Sequence, residues 1–242
     1  MKQNHKIFLD SRETAQGKNP RLEIFISEYI AYKNLYKKPL KVLDIGCGRN
    51  PEIFSSLLSG DVYYGCDFYT SICENISHYK KIDLNEEKLS EKFKGESFDV
   101  IFCGEVLEHL FSPDFLICEI KKLMHPDSIL ILSTPNLGYY LNRLMLLFGI
   151  SPFFLENSSE YKFGRMTKFM GKMNPTEGHI RLFTYAALKE FVLFYGFEII
   201  KIVPSVGSWA FFIDRLISKI SRSLSATNVF VLKLKTLDGL DS

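Results

Sequence analysis

Apolar positions along the chain recur with two different periods, and the switches between them divide it into elements. Over 21–36, RLEIFISEYIAYKNLY, they return at helical spacing, which predicts an amphipathic helix in a region that Pro39 closes. The next run, LKVLDIGCG (40–48), is short, apolar and stops at glycine, the pattern of a strand buried on both faces. Comparable runs at 62–68, 79–85, 97–104 and 128–135 predict four further strands. A helix is expected from Asn50-Pro51 to about Ser59, because proline suits the first helical position. Another is expected over 113–125, whose Lys121, Lys122 and His125 suit a helix C-terminus. Helices alternating with apolar strands imply an α/β chain with a parallel, doubly wound, Rossmann-like sheet.

The alternation breaks after Pro135. Residues 137–180 mix aromatics and lysines with glycines, among them Gly149, Gly164, Gly171 and Gly178, which predicts an inserted lid. A helix follows over 184–197, with Thr184 as N-cap and Gly196 as its stop, and strands are expected at 197–203 and 228–235. Between them, WAFFIDRLISKISRSL (209–224) is amphipathic, with Trp209, Phe212, Leu216 and Ile220 near one side and Arg215, Lys219 and Arg222 near others. Core packing is the expected use of that apolar side, ahead of contact with a membrane surface or a partner.

Composition narrows the class without changing this outline. The 242 residues are 46% hydrophobic and 24% charged, an ordinary globular balance, and the net charge of +2 argues against a nucleic-acid partner. Five cysteines (Cys47, Cys66, Cys73, Cys103, Cys118) are scattered without a CxxC pair, which fits reduced thiols in a cytoplasmic protein. The N-terminus lacks a signal-like apolar run, and the most apolar stretch, 139–155, is interrupted by Asn142 and Arg143, so no membrane span is expected.

Two ends of strands carry candidate chemistry. In VLDIGCGRNP (42–51) a strand runs into Asp-x-Gly-x-Gly, which turns tightly and lets a ligand approach the backbone. Asp67 closes the next strand, about twenty residues on, where an acid takes the hydroxyls of a ribose, and Asp83 follows the third strand. The loop lacks the full GxGxxG spacing, which argues against a dinucleotide pyrophosphate. The second strand end reads GEVLEHL (104–110). If it is helical, Glu105, Glu108 and His109 share a face at i, i+3 and i+4.

The segments VLDIGCG, GCD, KIDLN, FDVIFCGEVLEHL, ILILSTPN and GHIRLFTYAALKEFVLFYGFEI resemble class I S-adenosylmethionine-dependent methyltransferases, in the group that includes ubiquinone-pathway and glycan-modifying O-methyltransferases. The resemblance covers roughly 40–200. It implies one methyltransferase domain over 1–242, with a helical segment at 1–39 and a substrate lid at 137–180, built on a seven-stranded sheet with one antiparallel strand. It further implies that Asp44 and Gly46 border the methionine half of S-adenosylmethionine, Asp67 its ribose, and Asp83 with Leu84 its adenine edge. Cys47, Gly48, Phe68, Gly104 and Glu105 complete the expected cofactor site.

An alcohol or phenol acceptor must lose a proton during methyl transfer, which calls for a base or a metal. Three readings of the polar cluster therefore stand. Glu105, Glu108 and His109, joined by His179, offer a divalent-metal site resembling that of metal-dependent small-RNA 2′-O-methyltransferases. A metal-free base at His109 or His179 is favoured over it. The third reading gives these groups a purely structural role at the strand end. His5, His78 and His125 fall outside the cluster, with solvated or capping roles expected.

The aromatic and basic stretches at 138–154 and 161–172 would roof a pocket for a hydrophobic or anionic acceptor. The expected activity is O-methylation of a small molecule or glycan intermediate, lipid-linked acceptors included, at a cytoplasmic site with room for peripheral membrane contact. An RNA 2′-O-methyltransferase and a non-catalytic cofactor-binding scaffold are the alternatives.

Overall fold

A computed structural model describes residues 19–48, 60–69, 78–205 and 211–235. The helix expected at 50–59, Trp209, Cys73 and His5 lie outside them. Helix α1 (Pro20–Tyr36) starts at Asn19, whose side chain accepts the backbone N–H of Leu22, and turns Phe25, Tyr29 and Tyr32 inward. Strands β1 (Lys41–Ile45), β2 (Val62–Asp67), β3 (Tyr79–Lys81), β4 (Phe98–Gly104), β5 (Met124–Pro135), β6 (Phe197–Ser205) and β7 (Thr227–Leu234) form one sheet in the order β3-β2-β1-β4-β5-β7-β6. Every pairing is parallel except those of β7, which runs antiparallel between β5 and β6. This is the expected seven-stranded sheet with one antiparallel strand. The order reverses at β1 and β4, which are neighbours, so a crevice opens beyond their carboxyl ends.

Two apolar layers sandwich the sheet. Leu43, Ile45, Ile101, Cys103, Leu130 and Leu132 face the layer built with α3 (Pro113–Lys122) and α5 (Tyr185–Phe194). Val42, Val100, Phe102 and Ile131 face the other, where α1 packs and Phe25 stacks on Phe102 at 5.6 Å. Alternation along the strands, interrupted by irregularities at Phe98–Val100 in β4 and Ile199–Lys201 in β6, produces this division, and both faces are buried because helices cover both. Among the described residues every cysteine is free, with Cys66 and Cys103 in the core.

Several expected boundaries shift for local reasons. Strand β3 ends at Lys81 rather than 85, because Asp83 starts a turn: its side chain accepts the N–H of Asn85 and its carbonyl that of Glu87. Helix α3 ends at Lys122, not 125, since Met124 already pairs with Phe98 and His125 faces Asp99 at 3.3 Å. His78 stacks on Tyr64 instead of serving as a cap. The insertion is partly regular, with helix α4 (Tyr140–Leu147) and an isolated bridge between Tyr161 and Pro175. Helix α6 (Phe211–Ile220) corrects the expected core packing: Leu216 and Ile220 are 64% and 75% exposed. Asp214 and Ser218 face inward instead, and Tyr139 donates to Asp214 at 2.8 Å. A buried carboxylate held by a tyrosine hydroxyl decides which side of the helix turns in. Among the described residues no helix is long and apolar enough to cross a membrane.

Candidate active site

The cofactor end is built where β1, β2 and β4 stop. Beyond β1 the backbone turns at Gly46, whose φ of +71° suits glycine and whose missing Cβ would lie 2.5 Å from Val106 Cγ2. The N–H groups of Gly46 and Cys47 donate to the carbonyl of Cys66, which keeps the loop against β2. Asp67 secures it from the side: its carboxylate accepts the N–H of Gly48 at 2.9 Å and that of Tyr69 at 3.2 Å. Phe68 is half exposed beside it. Ile82 donates to the carbonyl of Asp67, so the Asp83–Leu84 turn sits next to this acid. Asp44, Gly46, Cys47, Gly48, Asp67, Phe68, Asp83 and Leu84 are thus gathered along one edge of the crevice.

Asp44 is buried and accepts from Tyr63 Oη at 2.9 Å. Burial raises its pKa from 3.8 to about 7, against the opposing pull of the Tyr63 hydrogen bond and the Arg21 charge. The folded chain therefore holds the proton more tightly than the unfolded chain between about pH 4 and pH 7. Across that window stability falls as pH rises, and above it the penalty is complete. Asp44→Asn cannot ionise, so its melting temperature is expected to fall less than that of the unaltered protein from pH 4 to 8. Thermal melts across this range would show equal slopes if the carboxylate were not buried in solution.

Arg21 is a site residue that the sequence reading missed. Its Nη1 lies 3.5 Å from Ser133 Oγ and 4.0 Å from Glu105 Oε1, and a Cβ on Gly104 would come within 2.5 Å of it. Helix α1 thus delivers a cation to the ends of β4 and β5. One signal was available: an arginine in the first turn of a helix opposes the helix dipole and needs another reason to be there.

The acceptor side corrects the expected helical face. Glu105 has φ +58° and its N–H still bonds to the carbonyl of Ser133, so β4 pairing runs one residue past the strand. A single 3₁₀ turn, Leu107–His109, follows. Glu105 accordingly accepts from Ser133 Oγ at 3.0 Å and faces Arg21. The structure brings together Glu108, His109 and His179 instead, with potential ligand atoms within 4.8 Å of one another.

Glu108 is fully buried. Its Oε2 accepts from Thr134 Oγ1 at 2.9 Å, while Oε1 has no hydrogen-bond partner and lies 3.9 Å from His109 Nε2. Burial first, and the charge of Glu105 second, push its carboxyl well above the usual range, which favours the neutral acid. His109 Nδ1 faces the carbonyl of Gly178 at 3.2 Å, and His179 Nδ1 faces that of Phe154 at 3.0 Å. Carbonyl oxygens only accept, so in each neutral ring Nδ1 carries the proton and Nε2 keeps the lone pair. The rings are 5.1 Å apart. Segment 178–181 is also clamped from below, because the carbonyl of Glu108 accepts from Ile180 and Arg181. Val106, which touches Gly46, joins the two halves of the site.

A methyltransferase-domain family model matches residues 18–202, most of the chain. The protein belongs to this family. Its sheet and glycine loop place it with the class I S-adenosylmethionine-dependent methyltransferases. Ubiquinone biosynthesis O-methyltransferases of Haemophilus ducreyi and Rickettsia akari are 33% and 30% identical to it over 107 and 124 residues. Those matches cover 40% and 49% of this chain and 45% and 49% of the relatives. The match thus spans about half the length of these curated relatives. The fold is similar to that of an S-adenosylmethionine-dependent methyltransferase from Clostridium acetobutylicum, with a TM-score of 0.57, 13% identity and coverage of 91% of this chain and 94% of that one. It is also similar to magnesium protoporphyrin IX methyltransferase from Synechocystis, solved with bound S-adenosylhomocysteine, with a TM-score of 0.52, 16% identity and coverage of 89% and 84%. At these identities the likeness is one of fold.

Proposed function

We propose that this methyltransferase domain methylates a hydroxyl oxygen of a small-molecule acceptor, with His179 or His109 taking the proton. The observation that carries the reading is the pair of imidazoles, 5.1 Å apart, with each Nδ1 tied to a backbone carbonyl, which puts the basic nitrogen of a neutral ring at Nε2, beside Glu108 in His109 and beside Glu177 in His179. S-adenosylmethionine, when bound, supplies a methyl group on a sulfonium, which is transferred in line and leaves a neutral thioether. Asp44 takes the ammonium of the methionine half and Arg21 its carboxylate, so a zwitterion meets one group of each sign. Asp67 takes the ribose hydroxyls, the Asp83–Leu84 turn with Phe68 borders the adenine, and Gly46, Cys47, Gly48, Gly104 and Glu105 line the path between. The imidazole receives the hydroxyl proton as the new O–C bond forms, which keeps the acceptor from carrying positive charge on oxygen.

The matched relatives act, by name, on oxygen in ubiquinone biosynthesis, which supports a hydroxyl acceptor. An acceptor with an apolar or lipid tail, met at a cytoplasmic membrane surface, suits the exposed Leu144, Leu147 and Phe148 of the insertion, together with the apolar side of α6 and its exposed Arg215 and Lys219. Residues 137–180 then act as the substrate lid.

One observation favours a second reading. The buried, unpartnered Glu108 Oε1, with the two Nε2 atoms, forms a donor set of one carboxylate and two imidazoles that fits a divalent cation. Native mass spectrometry before and after chelation, followed by transfer of labelled methyl to catechols, glycans, lipid-linked sugars and RNA, separates the readings. The expected result is an S-adenosylhomocysteine adduct and chelator-resistant label on a small-molecule hydroxyl. A metal removed by chelator together with activity would establish the second reading, and label on RNA alone would overturn the acceptor class. The lack of any cofactor adduct would overturn both.

A further inference from the structure

We propose that Glu156 is a positioning residue that fixes the orientation and tautomer of His179, and through Gly178 that of His109. The inference rests on the proposed methyl transfer only for its turnover readout. Glu156 belongs to the insertion and its side chain is 3% exposed. Its carboxylate sits in a nest of three consecutive backbone donors: Oε1 accepts from Glu177, and Oε2 accepts from Gly178 at 2.8 Å and His179 at 2.9 Å. Lys162, also buried, spans Glu156 Oε1 at 3.2 Å and Glu177 Oε1 at 2.7 Å, which offsets one of the two negative charges.

The neighbouring carbonyls are held by a cation. Arg165 Nη2 donates to the carbonyls of Pro152, Phe153 and Leu155, and the intervening carbonyl, Phe154's, is the one that accepts His179 Nδ1–H. Segment 154–156 therefore grips His179 twice, by its backbone N–H and by its ring. With 177–179 fixed, the Gly178 carbonyl meets His109 Nδ1. One buried carboxylate thus decides which nitrogen of two imidazoles carries the proton, with His179 Nε2 turned toward Glu177 Oε2 at 3.7 Å and His109 Nε2 toward Glu108 Oε1 at 3.9 Å. Three hydrogen bonds to a buried charge are strong enough to hold the loop in one geometry.

The test combines nitrogen NMR of the imidazoles with kinetics on the full chain, using S-adenosylhomocysteine as the binding probe. In the unaltered protein both neutral rings are expected as the Nδ1–H form. In Glu156→Ala, His179 and His109 are expected to revert to the Nε2–H form that a free side chain favours, with turnover lower by about 10- to 100-fold and S-adenosylhomocysteine affinity within about twofold. Glu156→Gln keeps the size but turns an NH₂ group toward backbone donors, so its spectrum is expected between the two. It also serves if the alanine variant fails to fold. Retention of the Nδ1–H form in both variants, or full turnover in both, overturns the proposal. If the tautomers change as expected but the unaltered protein methylates no hydroxyl, the positioning stands and the acceptor reading falls.

Discussion

Asp67→Ala is expected to weaken S-adenosylhomocysteine binding about 100-fold. The carboxylate holds the glycine loop through the N–H of Gly48, and on the proposed assignment it also keeps lone pairs for the ribose hydroxyls. A hydrogen bond to a charged group contributes about 1.5–3 kcal/mol, so losing a pair of them accounts for a change of this size. Asp67→Asn retains one acceptor oxygen and should lose less. Calorimetric titration of both variants checks the assignment. An unchanged affinity in the alanine variant would mean that the ribose lies elsewhere and that Asp67 only braces the loop.

The second large effect is on chemistry. His179→Ala should lower turnover about 100-fold or more, the usual contribution of a positioned base, while affinity for S-adenosylhomocysteine holds within about twofold. The ring is buried, with contacts to Phe154, Glu177 and His109, so binding and catalysis are expected to separate at this position. His109→Ala is the companion variant: its ring is the more exposed of the two and closer to Glu108. Full turnover in both variants would remove the base from the mechanism and leave the imidazoles a shaping role.

The parts of this molecule that were legible in the sequence are those governed by neighbours in sequence. β1, β2 and β4 announced themselves as apolar runs because both of their faces are buried, and glycines marked where β1 and β4 stop. Asp67 was visible because its distance from Gly46 reflects one strand, one connection and a second strand. The acceptor side was legible in composition but not in geometry. GEVLEHL has helical spacing, yet sheet pairing carries on through Glu105, whose N–H has a partner in Ser133. A tertiary hydrogen bond overrode the local period. Arg21, Thr134 and Glu156 escaped notice for a related reason: Arg21 and Thr134 act across more than twenty residues of chain and Glu156 across a loop with no regular pattern. Helix α6 was correctly read as amphipathic, but its direction was set by Tyr139, far away in sequence.

The place of β7 has a consequence for how the protein becomes active as it leaves the ribosome. The strands that carry the glycine loop and Asp67 precede residue 105, so they are synthesised before β5 and β7. Thr134, which holds Glu108, stands on β5, and the partner of β5 on its outer side is β7, with Thr134 opposite Asn228. Asn136, next along, is held by the carbonyls of Ser223 and Ser225. The acceptor half therefore waits for the last strand to thread antiparallel between two strands already made. A chain interrupted before residue 227 would lack the strand that pairs with Thr134 from the outer side, so the surroundings of Glu108 are expected to be the last part of the sheet to be secured.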